Sequence, residues 1–478
     1  MHHVFTPGRV LAAFLSLTVA AFTGCADLGS TSQSSSASGS TTGSATSYKF
    51  QFGAAQAAPG YTLVPLTAVY SAGTGYGFEP GAAVTAVTGN ASDPLQRGAI
   101  TSAQPYTFSV AVPEGSYRVT VTLGDPHAES TVTVKAEARR LMLEHLKIPA
   151  GKFETRTFTV NIRNPKISTG GEVILDSREW NFETHQAISR GWDDKLTLAF
   201  SDTHPAVAAI QIEKMTDPVT LFILGDSTVT DQGGGGSSWG QMATRWFKAP
   251  VVVANHAESG ETLKGFLKER RWEKVLDSMK AGDYVIIEFG TNDSKSSGPQ
   301  NMYPNQDFAE TYAPANTTYK ELLKRFAADA QKKGAFPIIV SPSARRQDNL
   351  SGPGSLSAYA IAAMATAKEI GVPSIDLNTM GRQINTALGD EAPKQFGDQT
   401  HHVDYGAYLQ SKCIVLGIQQ AKLPLAKYIV DDFSFDPTHP QPTPSNFQVP
   451  ADPRPAGAGR GNRAGGAPAN AAPADTKK

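Results

Sequence analysis

Cysteine is nearly absent: Cys25 and Cys413 are the only two in 478 residues. If Cys25 carries a lipid, Cys413 stands alone, no disulfide can form, and stability has to come from packing. An excess of charge is also missing, with 43 Lys and Arg against 44 Asp and Glu. The basic residues make no cluster beyond scattered pairs such as Arg139-Arg140 and Arg345-Arg346, which argues against nucleic acid as a partner. Past the first 25 residues no apolar run is long enough to cross a bilayer, so at most one lipid anchor ties the protein to a membrane. What is present is length, enough for two or three domains with a full core in each.

Several segments fall outside those domains. Residues 1–25 read as an export signal: Arg9, an apolar stretch from Val10 to Phe22, then Phe22-Thr23-Gly24-Cys25. Small residues before a Cys resemble a bacterial lipobox, which makes Cys25 the lipidated first residue of a periplasmic or cell-surface lipoprotein. Ordinary cleavage and secretion is the alternative. Residues 26–47 are almost wholly Ser, Thr, Gly and Ala and read as a flexible tether. Residues 433–478, rich in Pro, Ala and Gly, are expected to be a disordered tail.

Between 48 and 215 the apolar period is two. Tyr106, Phe108, Val110 and Val112 alternate with small or polar residues, and after the turn Pro113-Glu114-Gly115 the pattern returns at Tyr117, Val119, Val121 and Leu123, predicting a hairpin. Further runs at Ser130–Ala136, Arg156–Ile162, Glu172–Leu175 and Lys195–Phe200 predict an antiparallel, jelly-roll-like β-sandwich. Its Tyr76 and Phe78 are candidates for touching sugar, with core packing as the competing role.

From 216 to 432 the grammar changes. Short Val- and Ile-rich runs at Leu221–Leu224, Val251–Asn255, Tyr284–Glu288, Phe336–Val340 and Val372–Ile375 alternate with helical patterns at Ser238–Phe247, Thr262–Met279, Thr317–Lys333, Ala358–Ile370 and Ala407–Ala421. This predicts an α/β three-layer domain with a five-stranded, mostly parallel sheet covered on both faces. Reactive groups then belong at the carboxyl ends of the strands.

Those ends carry a consistent set. After the first strand, Gly225-Asp226-Ser227-Thr228 presents a hydroxyl in a turn, a way to hold up a nucleophile. After the second, Gly260 lets a backbone N–H approach a ligand closely. After the third, the Asn292 amide stands where another oxyanion donor fits. Of ten histidines, two lie in the signal and His127, His145, His185 and His204 in the sandwich region, leaving His256, His401, His402 and His439. Asp398-x-x-His401 gives a carboxylate to brace one ring nitrogen while the other faces the nucleophile. The same spacing recurs at Asp436-x-x-His439, beyond the last helix, where nothing holds it still. A rival nucleophile, Gly236-x-Ser238-x-Gly240, matches the α/β-hydrolase elbow without the preceding strand that the elbow needs. Trp239, His256 and His402 are candidate substrate contacts.

Taken in order, Gly225-Asp226-Ser227, Gly260, Gly290-x-Asn292-Asp293 and Asp398-x-x-His401 resemble the four blocks of the SGNH, or GDSL-like, hydrolase superfamily. The stretches LGDSTVTD (224–231), NHAESGETL (255–263) and AGDYVIIEFG (281–290), with the Arg345-Arg346 pair, are similar to bacterial rhamnogalacturonan acetylesterases of carbohydrate esterase family twelve. YKFQFG (48–53), GYGFEPG (75–81) and TLGDP (122–126) look like the galactose-binding-like sandwich that precedes such esterases. The resemblance implies acetyl removal from pectic polysaccharide, with Ser227 as nucleophile, His401 as base, Asp398 as its orienter, and the Ser227 and Gly260 N–H groups and the Asn292 side chain as oxyanion hole. No metal or other cofactor enters this chemistry. The sequence departs from that pattern at Thr291, where many relatives carry His, and at His402, where many carry an aromatic. Another acetylated glycan such as xylan, a small ester, or an idle sugar-binding lipoprotein are the competing readings.

Overall fold

The alternation read between 48 and 215 builds two facing antiparallel sheets, because each strand has one apolar side to bury. In the computed structural model, which describes residues 47–137, 139–175, 179–181, 186–187, 191–232, 236–296 and 308–450, one sheet has seven strands. Its main path runs Glu154–Ile162, Gly115–Leu123, Val207–Lys214, Ser47–Gln51 and Thr62–Leu63, with Gly98–Thr101 and Thr85–Thr88 attached. The other runs Tyr76–Phe78, Tyr106–Ala111, Lys195–Ser201, Ser130–Ala136 and Arg140–Ile148. Phe108 lies edge-on to Phe50, Phe52 and Phe78 at 5.3–5.4 Å, and these rings fill the space between the sheets. The proposed signal, the lipobox cysteine and the tether up to residue 46 lie outside the described residues.

Three expectations need correction, and one open choice is decided. Tyr106–Ala111 and Gly115–Leu123 do not pair as a hairpin. The first bonds to Lys195–Ser201 and Tyr76–Phe78, the second to Glu154–Ile162 and Val207–Lys214, so the turn between them crosses from one sheet to the other. Period two fixes which side of a strand is buried but not which strand lies beside it. Glu172–Leu175 is no strand: Glu172 makes one bridge to Lys166, and Val173 and Leu175 are buried with Trp192. Phe78 is buried, and the partly buried Tyr76 leans on Phe50 with ring centroids 4.9 Å apart, so both take the core-packing role. Finally, the expected disorder from 433 onwards fails up to residue 450. Phe433, Phe435, Phe447 and Val449 pack on the core of the second half, Tyr405 donates to Pro442 O, and Lys135 of the sandwich donates to Pro450 O. Four apolar side chains spaced through a Pro-rich segment were enough to seat it.

In the second half, β1 (Val219–Gly225), β2 (Val251–Asn255), β3 (Tyr284–Glu288), β4 (Phe336–Val340) and β5 (Ser374–Ile375) form one wholly parallel sheet in the order β2-β1-β3-β4-β5. β1, β2 and β3 are buried on both faces, as near-continuous aliphatic runs require. Helices Trp239–Ala243, Leu377–Leu388 and Asp404–Gln420 bury their apolar residues in one layer, with Leu221, Ile223 and Val253. Helices Leu263–Lys268, Arg271–Ser278, Thr318–Lys332 and Ser357–Ile370 bury theirs in the other, with Phe222, Leu224 and Ile287. The single helix expected over 262–279 is broken at Arg270, which takes a left-handed φ of 62°. The break lets Arg270 reach Gly170 O and Arg271 reach Glu179, both in the sandwich half. Leu377–Leu388, not anticipated, is capped by the Asp376 carboxylate, which accepts from Thr379 N at 3.1 Å.

Candidate active site

The order β2-β1-β3 puts a topological switch between β1 and β3, and the loops leaving their carboxyl ends diverge there to open a crevice. Ser227 sits at that point. The Asp226 carboxylate accepts from Thr228 N at 2.9 Å and from the Thr228 hydroxyl at 3.0 Å, and Val229 N and Thr230 N both donate to Asp226 O. These bonds coil residues 226–230 into a tight turn directly behind the strand. Ser238 Oγ, at 2.6 Å, and Gln232 Nε2, at 2.8 Å, then hold the Ser227 carbonyl.

Opposite stands His401, on the turn before the helix Asp404–Gln420. Its Nε2 lies 2.8 Å from Ser227 Oγ and its Nδ1 2.7 Å from Asp398 Oδ2. The other carboxylate oxygen of Asp398 accepts from Thr400 N and His401 N, both at 2.7 Å. Partial burial pushes the Asp398 pKa up, but those two N–H groups and the imidazole outweigh it and hold the acid down at about 2. A carboxylate so fixed keeps a proton on Nδ1 and leaves the Nε2 lone pair facing the serine hydroxyl. The second Asp-x-x-His, Asp436 and His439, is exposed and bonds internally at 3.1 Å.

Gly260 has φ +87°, a conformation that suits glycine and strains other residues. Asn292 Nδ2 donates to Glu261 O at 3.0 Å, so the amide from the β3 loop is tied beside Gly260 of the β2 loop and keeps a second N–H. Lys295 Nζ donates to Asn292 Oδ1 at 2.7 Å. Lys295 was missed in the sequence, although its position three residues after Asn292 in a polar turn was a usable signal. Beneath the site lie three buried acids. Burial, then the charge of Asp226, lifts Glu288 to about 8, and burial lifts Asp293 to about 7. Thr228 Oγ1 and Ser343 N bond Glu288, while Leu263 N and Gly290 N bond Asp293, so these acids brace the loops from below.

The three candidate substrate contacts are not at the surface. Trp239 is fully buried in the layer under the first loop. His256 is 2% exposed, packed against Phe222 and Trp192, and kept neutral by burial and then by Arg163. His402 is 1% exposed and lies on Phe396 with ring centroids 4.5 Å apart. Burial, then the neighbouring His401, lowers its pKa to about 3. It fills an aromatic's place, and the alternation of side chains around His401 turns it inward. The rival Ser238 is likewise buried and occupied with Ser227 O.

Known proteins match both halves of the chain. Residues 223–405 match the GDSL-like lipase/acylhydrolase family, and residues 48–167 match the β-agarase/YXIM esterase-like, galactose-binding domain-like family. The rhamnogalacturonan acetylesterase RhgT of Bacillus subtilis is 31% identical over 237 residues, 45% of this chain and 96% of that protein. The chain belongs to the GDSL-like acylhydrolases. The uncharacterized esterase YxiM of the same organism is 27% identical over 360 residues, covering 72% of this chain and 82% of its own. The crystal structure of YxiM aligns over 79% of this chain and 99% of that one, at 22% identity and a TM-score of 0.40. Family and relatives make this GDSL-like hydrolase a carboxylic ester hydrolase of the carbohydrate esterase kind.

Proposed function

We propose that the protein removes acetyl groups from a pectic polysaccharide of the rhamnogalacturonan class, through an acetyl-enzyme on Ser227. The observation that carries this reading is the relay from Ser227 Oγ to His401 Nε2 at 2.8 Å and from Nδ1 to Asp398 at 2.7 Å. Nε2 takes the hydroxyl proton as Oγ attacks the acetyl carbonyl. The resulting oxyanion is held by the Ser227 and Gly260 N–H groups and the Asn292 amide, and losing one such donor typically costs about 10²–10³ in rate. As the C–O bond to the sugar breaks, Nε2 returns its proton to the sugar oxygen. Water, deprotonated by the same nitrogen, then attacks the acetyl-serine and releases acetate. Such acid–base work contributes about 10²–10⁴. Two relatives of Bacillus subtilis, the rhamnogalacturonan acetylesterase RhgT and YesY, named as a probable rhamnogalacturonan acetylesterase, support the choice of glycan. Export as a lipoprotein on Cys25 would place the enzyme where such polymers are met.

Acetate release from acetylated rhamnogalacturonan, acetylated xylan and a small acetyl ester tests the reading. The expected result is fastest release from the pectic polymer and loss of all three activities in a folded Ser227→Ala variant. Retained turnover in that variant refutes the mechanism; faster release from xylan refutes the choice of substrate.

A further inference from the structure

Arg139 and Arg140, neighbours at the start of a sandwich strand, reach into the esterase half and split around its reactive loops. Arg140, 1% exposed, donates from Nε to Asp231 Oδ2 at 2.8 Å. The other oxygen of Asp231 accepts from Asn255 Nδ2 at 3.0 Å, and that amide also donates to Val229 O at 2.8 Å. Asn255 closes β2 just before the Gly260 loop, and its carbonyl accepts from Arg163, a second buried sandwich arginine. The foot of the Ser227 turn and the foot of the Gly260 loop are therefore joined through one carboxylate and one amide that the sandwich holds. Arg139 goes the other way. It donates to Gly236 O at 2.7 Å and to Asp404 Oδ1 at 2.8 Å, while Ser237 N donates to His402 O at 2.9 Å. These bonds fix the segment that follows His401.

Burying a guanidinium group such as that of Arg140 is costly unless geometry and partners compensate. A sandwich that served only to fetch polysaccharide could meet the esterase half through an apolar or wet surface. We propose instead that the sandwich is a working part of the site, in which Arg139 and Arg140 are positioning residues that set the separation of Ser227 and His401. This rests on reading those two side chains as nucleophile and base.

The test uses the full chain with a small substrate, 4-nitrophenyl acetate, too short to touch the sandwich. Arg139→Gln and Arg140→Lys are measured beside Arg139→Lys, with circular dichroism melts showing each folded at the assay temperature. Because a misplacement of about 1 Å can cost about 10²-fold, Arg139→Gln and Arg140→Lys should lose about ten- to a hundredfold in kcat with KM unchanged. Arg139→Lys, which keeps the charge, should recover part of the loss. Parental kcat in the folded variants overturns the proposal, as does a loss confined to KM for the polysaccharide, the signature of a sugar-binding role. Should Arg139→Gln not fold, Arg140→Lys decides by the same criterion. Failure of the underlying reading shows separately, as turnover surviving in Ser227→Ala.

Discussion

Replacing Asp398 by Asn should damage the enzyme more than replacing it by Ala. Asp398 Oδ1 accepts two backbone N–H groups, from Thr400 and His401, at 2.7 Å each, and Oδ2 meets His401 Nδ1. An Asn there has one acceptor and one donor end. Two N–H groups claim the acceptor, at about 0.5–1.5 kcal/mol net apiece, so the amide NH₂ is left pointing at Nδ1. That forces Nδ1 to accept and moves the ring proton to Nε2, facing Ser227 Oγ, where no lone pair remains to take the hydroxyl proton. Turning the amide over would forfeit both backbone bonds, so the wrong tautomer is favoured by about 1–3 kcal/mol, roughly ten- to a hundredfold. Ala imposes no tautomer, and the Asp398 side chain is 45% exposed, so water can reach Nδ1 in its place. Both variants lose part of a base worth about 10²–10⁴, with kcat of Asp398→Asn lower than that of Asp398→Ala by about tenfold or more. Steady-state hydrolysis of 4-nitrophenyl acetate measures the ratio, with circular dichroism confirming both folds. An Asn variant as fast as the Ala variant would sink the tautomer argument.

Two further outcomes concern stability. Burial raises the pKa of Glu288 to about 8 and of Asp293 to about 7, above the unfolded values of about 4, so the fold prefers the protonated acids. Their contribution is complete below about pH 4 and is lost as pH rises from there through those values, so Tm should fall between about pH 4 and 8, level off above that, and fall less in Glu288→Gln; parallel pH curves for the two proteins would contradict this. Phe447, with its ring 5.4 Å from Tyr405 and 5.3 Å from Tyr408, fastens the segment up to residue 450. As it is only partly buried, Phe447→Ala should cost about 1–3 kcal/mol in a denaturant melt without altering kcat, and an unchanged melt would show that the segment contributes nothing.

The sheet of the esterase half was legible because parallel strands buried on both faces are written as unbroken aliphatic runs. Tyr284–Glu288 and Phe336–Val340 were read to the residue. The sandwich was legible as a class and not as a pairing, since Tyr106–Ala111 and Gly115–Leu123 carry the same period whichever neighbours they take. Ser227, His401 and Asp398 could be picked out because their chemistry restricts residue type and the strand ends restrict place. The structure then brings all three within hydrogen-bonding distance across 174 residues. Contacts of the substrate with Trp239, His256 and His402 were misjudged for a common reason. Polar or aromatic residues next to a reactive one suggest a shared surface, yet successive residues on a turn or strand point in opposite directions, so the neighbour of the partly exposed His401 is the buried one.

Least legible of all was the dependence between the halves. Arg139 and Arg140 looked like an unremarkable surface pair in a chain of balanced charge, and no period or motif marks them. Their roles emerge only when strand Arg140–Ile148 is laid against the esterase half, where Leu141 joins its apolar core, Thr244 donates to Leu141 O at 2.7 Å, and Glu144 meets Arg245 and Tyr408. A buried cation on one domain and a buried anion on the other are each unfavourable alone and tolerable together. Neither half could bury these charges in isolation, so the two halves should melt as one cooperative unit rather than in succession.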